Sequence, residues 1–260
     1  DHTPGFGSAA KYVASTVREI TLDANVYEKK SVTIIEIMGR HAGWLTAASA
    51  LARKYDGDNP LFIYLPETDF DQEAFLKDLE KAFETNCNLI VCVSEGIHDA
   101  EGTFICEYDS SVGTDTFGHK MLAGCGKYLE NLVRSRLGVK ARSVELNVSQ
   151  RCSAAMISAT DQQEAVAAGK FGVQAALNGE TGKMVSFIRE ADTDGNYQMV
   201  CGLEDVNEIC NQEKVVPAEW ITPDGHDVTE DFVRYARPLI QGNVNVPLGE
   251  DGLPAFVYRK

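Results

Sequence analysis

Residues 34–44, IIEIMGRHAGW, restrict what this chain can fold into more than any other stretch. The apolar run of Ile34, Ile35 and Ile37 stops abruptly at Met38-Gly39-Arg40, and a helical pattern starts near His41. Uninterrupted β-branched residues suit a strand covered on both faces, as in a parallel sheet. A strand that hands over to a helix through Gly leaves its next residues at the carboxyl edge of the sheet. In open α/β folds that edge is where ligands bind. An Arg placed there, beside backbone that Gly39 frees, suits an anionic ligand.

The alternation continues along the chain. Apolar spacing predicts a helix over 8–22, a strand over 31–37, a helix over 42–53 and a strand over 61–67 that Pro66 ends. A helix over 71–84 opens near Asp69 and Asp71, and a buried strand follows at 88–96. After a polar loop at 97–116 come a helix over 117–137, closed by Gly138, and a strand over 141–148. A helix over 161–178 ends near Gly179, and strands 183–190 and 196–203 flank the hairpin signal Asp192-Thr193-Asp194-Gly195. Strands separated by helices predict an α/β fold: a mainly parallel Rossmann-like sheet flanked by helices, plus part of a second lobe. The division read from the pattern is 1–150, 151–203 and a Pro-rich tail, 204–260, packing across the lobes.

Composition excludes several classes. A net charge of −15 disfavours nucleic acid and anionic membranes as partners. No apolar run reaches 18 residues and no signal-like segment opens the chain. The seven Cys form no CxxC pair, which argues for reduced thiols, a cytoplasmic setting and no structural zinc. Asp1-His2-Thr3-Pro4 leads straight into a helix without an initiator Met, which reads as a cut inside a larger protein or an incomplete reading frame.

Three segments place polar residues just past predicted strands: Met38-Gly39-Arg40, Ser94-Glu95-Gly96 and Ser149-Gln150-Arg151. On one sheet edge they would form one cleft, with Arg40 and Arg151 for phosphate oxygens and Glu95 for hydroxyls. That set suits a sugar phosphate; the competing reading is three loop charges in local ion pairs. Arg142 differs, because it opens strand 141–148 while Arg151 follows its end, a separation of ~20 Å or more at ~3.3 Å per residue. It is either a surface ion-pair residue or part of an oligomer interface serving another subunit; Ser31 and Lys30 lie on the same opposite edge. His41 either contacts ligand or caps the helix. Asp69, Asp71 and Glu73 read as a solvated helix start, since they lack the EF-hand pattern. His2, His98, His119 and His226 show no metal-ligand spacing.

The segments TPGFGSAAKY (3–12), IIEIMGRHAGW, LPET (65–68), VSEG (93–96) and ELNVSQRCSAA (145–155) together resemble the 6-phosphofructokinase family, over most of residues 1–190. Gly5-Phe6-Gly7 and Gln150-Arg151-Cys152 look closest to its pyrophosphate-dependent branch. The resemblance implies that Met38, Gly39, Glu95 and Arg151 hold fructose 6-phosphate within one subunit. It implies that Arg40 is the active-site Arg, and that Arg142 reaches the sugar's phosphate in a neighbouring subunit. Residues 1–150 then become the fructose 6-phosphate lobe and 151–203 a segment completing the phosphoryl-donor lobe. Two positions depart from the pattern: Ser31 stands where many members carry a second cross-subunit Arg, and Val148 where many have His.

The family's Gly-rich donor loop and TIDND-like segment, with its aspartate base, do not occur in these 260 residues. The resemblance therefore implies a fragment carrying the acceptor site, inactive alone. The parent is expected to be a glycolytic phosphotransferase of the cytoplasm, using pyrophosphate, Mg²⁺ and fructose 6-phosphate, and forming a homo-oligomer, dimer or tetramer. ATP as donor, or a sugar-phosphate-binding subunit without catalysis, are the alternatives. A Rossmann dehydrogenase is disfavoured, since no GxGxxG follows a strand.

Overall fold

A computed structural model of the chain describes residues 1–108, 124–191 and 196–256. The chain divides into two compact units. One comprises residues 13–150 and 213–235, the other 1–12, 151–212 and 236–260. This grouping differs from a linear division at 150 and 203: the first twelve residues join the second unit, and the tail beyond 204 is shared between both.

The first unit is built on a parallel sheet of β1 (Ser31–Ile37), β2 (Phe62–Tyr64), β3 (Asn88–Ser94) and β4 (Lys140–Glu145), in the order β2-β3-β1-β4. All three pairings are parallel, so every carboxyl end lies on one edge. β1 and β3 are central and almost wholly buried, which is why they read as continuous apolar runs. Val32, Ile34, Leu89 and Val91 pack with Phe75 and Leu79 of α3 (Gln72–Ala82) and Leu129 and Val133 of α4 (Cys125–Leu137). Each fully buried aliphatic side chain contributes ~1.5–3 kcal/mol.

The helix starts and stops follow local chemistry. Asp71 caps α3 by accepting from the Ala74 N–H at 2.8 Å. Glu73 pairs with Arg136 through both oxygens. Gly138 ends α4 at φ +65° and donates to the Arg134 carbonyl at 3.2 Å. A carboxylate inside β1 supplies the α4 start. Glu36 is 5% exposed and accepts from the Gly124 and Gly126 N–H groups at 3.1 and 2.7 Å. Burial pushes its carboxyl up, opposed by those two donors at a helix N-terminus. Gly126 leaves room for it, since a Cβ there would sit 3.1 Å from Glu36 Oε2.

Several predicted bounds change. The helix expected over 42–53 breaks into α2 (Trp44–Ala47) and a 3₁₀ turn at Ala48–Ala52, a run of small buried residues. β2 and β3 are shorter than the apolar pattern. β4 stops at Glu145, not 148: Asn147 takes φ +47° and opens a 3₁₀ helix at Asn147–Arg151. Asn reaches that left-handed region more easily than branched residues do. The extended spacing assumed between Arg142 and Arg151 therefore holds only as far as Glu145. The expected helix start at 117, and His119, lie outside the described residues.

The second unit holds α5 (Ala159–Leu177) and an antiparallel hairpin of β5 (Lys183–Ala191) and β6 (Tyr197–Asp205). The turn expected at 192–195 lies outside the described residues. α5 starts two residues before the predicted 161, because Ser158 is its cap and accepts from the Asp161 N–H. Asp161 is 4% exposed and turns back to the chain start, accepting from the Gly5 and Ser8 N–H groups at 2.7 and 3.0 Å and from the Ser8 hydroxyl. Gly7 sits where a Cβ would meet the Leu239 carbonyl oxygen at 2.4 Å. The Gly5-Phe6-Gly7-Ser8 phrase thus has a packing reason inside this unit. These residues open α1 (Phe6–Ala24), whose later turns belong to the first unit.

Candidate functional site

β1 and β3 lie side by side with Ile37 level with Ser94, so two of the three predicted strand-end segments meet. Glu95 N–H donates to the Ile37 carbonyl at 2.9 Å, and Gly96 N–H to the Gly39 carbonyl at 3.2 Å. The Ser94 hydroxyl donates to that same Gly39 oxygen. In return, the Glu95 carboxylate accepts from the Gly39 N–H at 3.3 Å. Met38, Gly39 and Glu95 are half-buried, and Arg40 is exposed. The turn after β1 is thus tied to the end of β3 by backbone and by one carboxylate, with a guanidinium facing solvent beside it.

Gly96 belongs here for space. A Cβ at that position would stand 1.8 Å from the Arg40 carbonyl oxygen. At Gly39 a Cβ would meet the Ala42 carbonyl oxygen at 2.7 Å. No larger residue fits either position without backbone movement.

The third segment contributes through Gln150, which is 2% exposed and accepts from the Met38 N–H at 3.3 Å through its side-chain oxygen. Arg151 follows directly in the chain, is exposed, and belongs to the other unit. Gln150 carries no role in the sequence reading; a buried amide after a strand is visible only once its partner is placed.

Arg142 lies elsewhere. It pairs with Thr33 in the β1–β4 register, five positions before Met38, or about 16 Å at ~3.3 Å per residue. Its guanidinium donates to Thr33 Oγ1 at 3.1 Å and pairs with Asp23 at 2.9 Å. Together with Tyr27, Lys29, Ser31 and Lys140 it lines a cavity of about 450 Å³ at the amino edge of the sheet. The Ser31 hydroxyl donates to Asn88 Oδ1 at 2.7 Å, and the Lys30 ammonium stands 5.2 Å from the Phe83 ring. His41 makes an exposed pair with Glu213 at 3.1 Å.

An all-parallel sheet whose central strands end in a carboxylate-braced turn bearing an Arg defines an α/β protein with a site suited to a hydroxylated anion. A model of the phosphofructokinase family matches residues 1–176. The chain belongs to that family.

Among its relatives, the pyrophosphate–fructose 6-phosphate 1-phosphotransferase of Xanthomonas campestris pv. campestris (strain B100) is 40% identical over 262 aligned positions, covering 100% of this chain and 62% of that protein. The protein of the same name from Methylococcus capsulatus is 38% identical over 259 positions, covering 99% of this chain and 60% of that protein. The crystal structure of pyrophosphate-dependent phosphofructokinase from Marinobacter aquaeolei matches with a TM-score of 0.83 at 33% identity, over 99% of this chain and 62% of that one. The chain thus spans about three fifths of the length of these relatives.

Among the described residues, no group of three or more His, Cys, Asp or Glu is placed to hold a metal ion. No described helix is long and apolar enough to cross a membrane.

Proposed function

We propose that this chain forms the sugar-phosphate side of an enzyme that moves a phosphoryl group from pyrophosphate to the 1-hydroxyl of fructose 6-phosphate. The product is fructose 1,6-bisphosphate. The observation that carries this reading is the joined end of β1 and β3: Glu95 braces the Met38–Arg40 turn in a chain that matches relatives of that name along its whole length.

In this reading Met38, Gly39 and Glu95 fix the sugar, and Arg151 holds its 6-phosphate. Arg40 stabilises charge on the transferring group. The 1-hydroxyl oxygen bonds to the terminal phosphorus, the bridging P–O bond breaks, and orthophosphate leaves. The hydroxyl proton passes to an aspartate of the TIDND-like segment, which these 260 residues do not contain. Mg²⁺ would be held mainly through the phosphoryl donor, since the described residues offer no group of three or more His, Cys, Asp or Glu for it, and it would offset charge on the transferring group. Residues 1–150 serve the sugar phosphate, and 151–203 help complete the donor lobe. Arg142 serves the 6-phosphate of a neighbouring copy in a homo-oligomer of the cytoplasm.

Steady-state kinetics of the intact protein with fructose 6-phosphate, Mg²⁺ and either donor tests the donor assignment. Pyrophosphate is expected to give the higher kcat/KM. A value at least tenfold higher for ATP, about 1.4 kcal/mol, contradicts it.

A further inference from the structure

Glu67 lies past the end of β2, on the same sheet edge as Met38 and Glu95, yet it contacts neither of them in the hydrogen bonds described above. One of its oxygens accepts two backbone N–H groups, from Gly43 at 2.9 Å and from Val216 at 2.9 Å. Gly43 is the residue before α2, and its N–H is one of the helix-start donors without a partner inside the helix, which Glu67 accepts. Gly43 must also lack a side chain. A Cβ there would stand 2.8 Å from the other Glu67 oxygen and 2.9 Å from both Leu65 and Pro66.

The segment that supplies Val216 returns to the post-β1 turn at two further points. Glu213 pairs with His41 at 3.1 Å, and the Lys214 carbonyl accepts from the Trp44 indole N–H at 2.6 Å. Residues 41–44 and 213–216 are therefore joined at three successive contacts, and the Glu67 side chain holds both segments of the junction. Arg40 sits immediately before this junction.

Among the described residues, no other residue donates a hydrogen bond to the second, buried Glu67 oxygen. Burial pushes the carboxyl up, with the Gly43, Val216 and Glu67 N–H groups opposing. A bare buried oxygen lowers stability, and such atoms are rare in folded proteins. The place of Glu67 next to the Arg40 turn, bridging two segments by their N–H groups, points to a positional task.

We propose that Glu67 is a positioning residue: by accepting from Gly43 and Val216 at once, it fixes the Met38–Arg40 turn against residues 213–216 and so sets the place of Arg40. The catalytic part of this inference rests on the function proposed above; the structural part does not. Both bonds go to a single oxygen, so an amide in the same place keeps them.

Two readouts on the intact protein test it: hydrogen exchange of a peptide spanning residues 38–46, and kcat/KM for fructose 6-phosphate. In Glu67→Ala the amides of 38–46 are expected to exchange at least tenfold faster. The kcat/KM should fall about 10–100-fold, as small displacements of site residues do. Glu67→Gln should stay within about threefold of wild type in both. If Glu67→Ala does not fold, Glu67→Asp, which withdraws the oxygen by one methylene, takes its place with the same expectations. Unchanged exchange overturns the clasp. Faster exchange with unchanged kcat/KM overturns the link to Arg40. A Gln variant as impaired as Ala overturns the acceptor role. Should wild-type protein not use fructose 6-phosphate with either donor, the function reading fails, and the exchange result alone decides the clasp.

Discussion

Replacing Gly96 with Ala in the intact protein is expected to lower kcat/KM for fructose 6-phosphate at least ~100-fold, about 2.7 kcal/mol. The reason is steric. A Cβ at residue 96 would lie 1.8 Å from the Arg40 carbonyl oxygen, 2.5 Å from its carbonyl carbon and 2.7 Å from its Cα. All three are backbone atoms, so no side-chain rotation relieves the overlap. Either the end of β3 or the Arg40 peptide must move by on the order of 1 Å, and displacement of that size costs ~100-fold in rate. The same movement stretches the Gly96–Gly39 bond at 3.2 Å and the Glu95–Gly39 bond at 3.3 Å. Overpacking should also lower stability by about 1–3 kcal/mol. Gly169→Ala in α5 is the control. Nothing lies within 4 Å of a Cβ there, and Ala favours a helix interior by ~1 kcal/mol. Kinetics and thermal melts of both variants check this. A Gly96→Ala enzyme within fivefold of wild type would mean that the Met38–Arg40 turn does not shape the site.

In the intact protein, Arg151→Ala and Arg142→Ala should each weaken use of fructose 6-phosphate by about 1.5–3 kcal/mol, the loss of one charge-assisted contact to phosphate. The two differ in placement. Arg142 is level with Thr33, far from the Met38 turn on its own sheet. In its own chain it is held by Asp23 and Thr33, and the Arg142 and Asp23 side chains are 39% and 58% exposed. An ion pair so exposed is worth only ~0–1 kcal/mol, so its diversion to a phosphate on another copy costs little. If Arg151 acts in its own subunit and Arg142 in its neighbour's, mixing the two weakened variants restores activity. After dissociation and reassociation, some sites draw wild-type Arg151 from one chain and wild-type Arg142 from the other. Verified reassociation without recovered activity makes Arg142 an ordinary structural arginine.

How much of this is legible in the sequence depends on the range of the interaction. β1 was read at its observed bounds, because a strand buried on both faces shows as a continuous β-branched run. Gly138 was legible for a similar reason: a left-handed helix end is a local demand. β4 was overrun because Val144, Leu146 and Val148 alternate as a strand should, while Asn147 turns the chain. The helix over 42–53 was read as continuous from small apolar residues, whose propensity does not separate an α turn from a 3₁₀ one. Gln150 and Glu67 were missed as supports. Their partners, Met38, Gly43 and Val216, are many residues away, and nothing local marks a side chain as an acceptor for a distant N–H. Glu95 is visible in the sequence as a residue at a strand end, where the fold gathers residues, and the structure ties it to the Gly39 N–H.

Calorimetric titration of the intact protein with fructose 6-phosphate, in the absence of any phosphoryl donor, tests the sugar-phosphate site most directly. Saturable binding at one site per chain is expected, weakened by about 1–3 kcal/mol in Glu95→Ala, which removes the acceptor for the Gly39 N–H and the one proposed for a sugar hydroxyl. No saturable binding to wild-type protein, or an affinity that Glu95→Ala leaves unchanged, would contradict it.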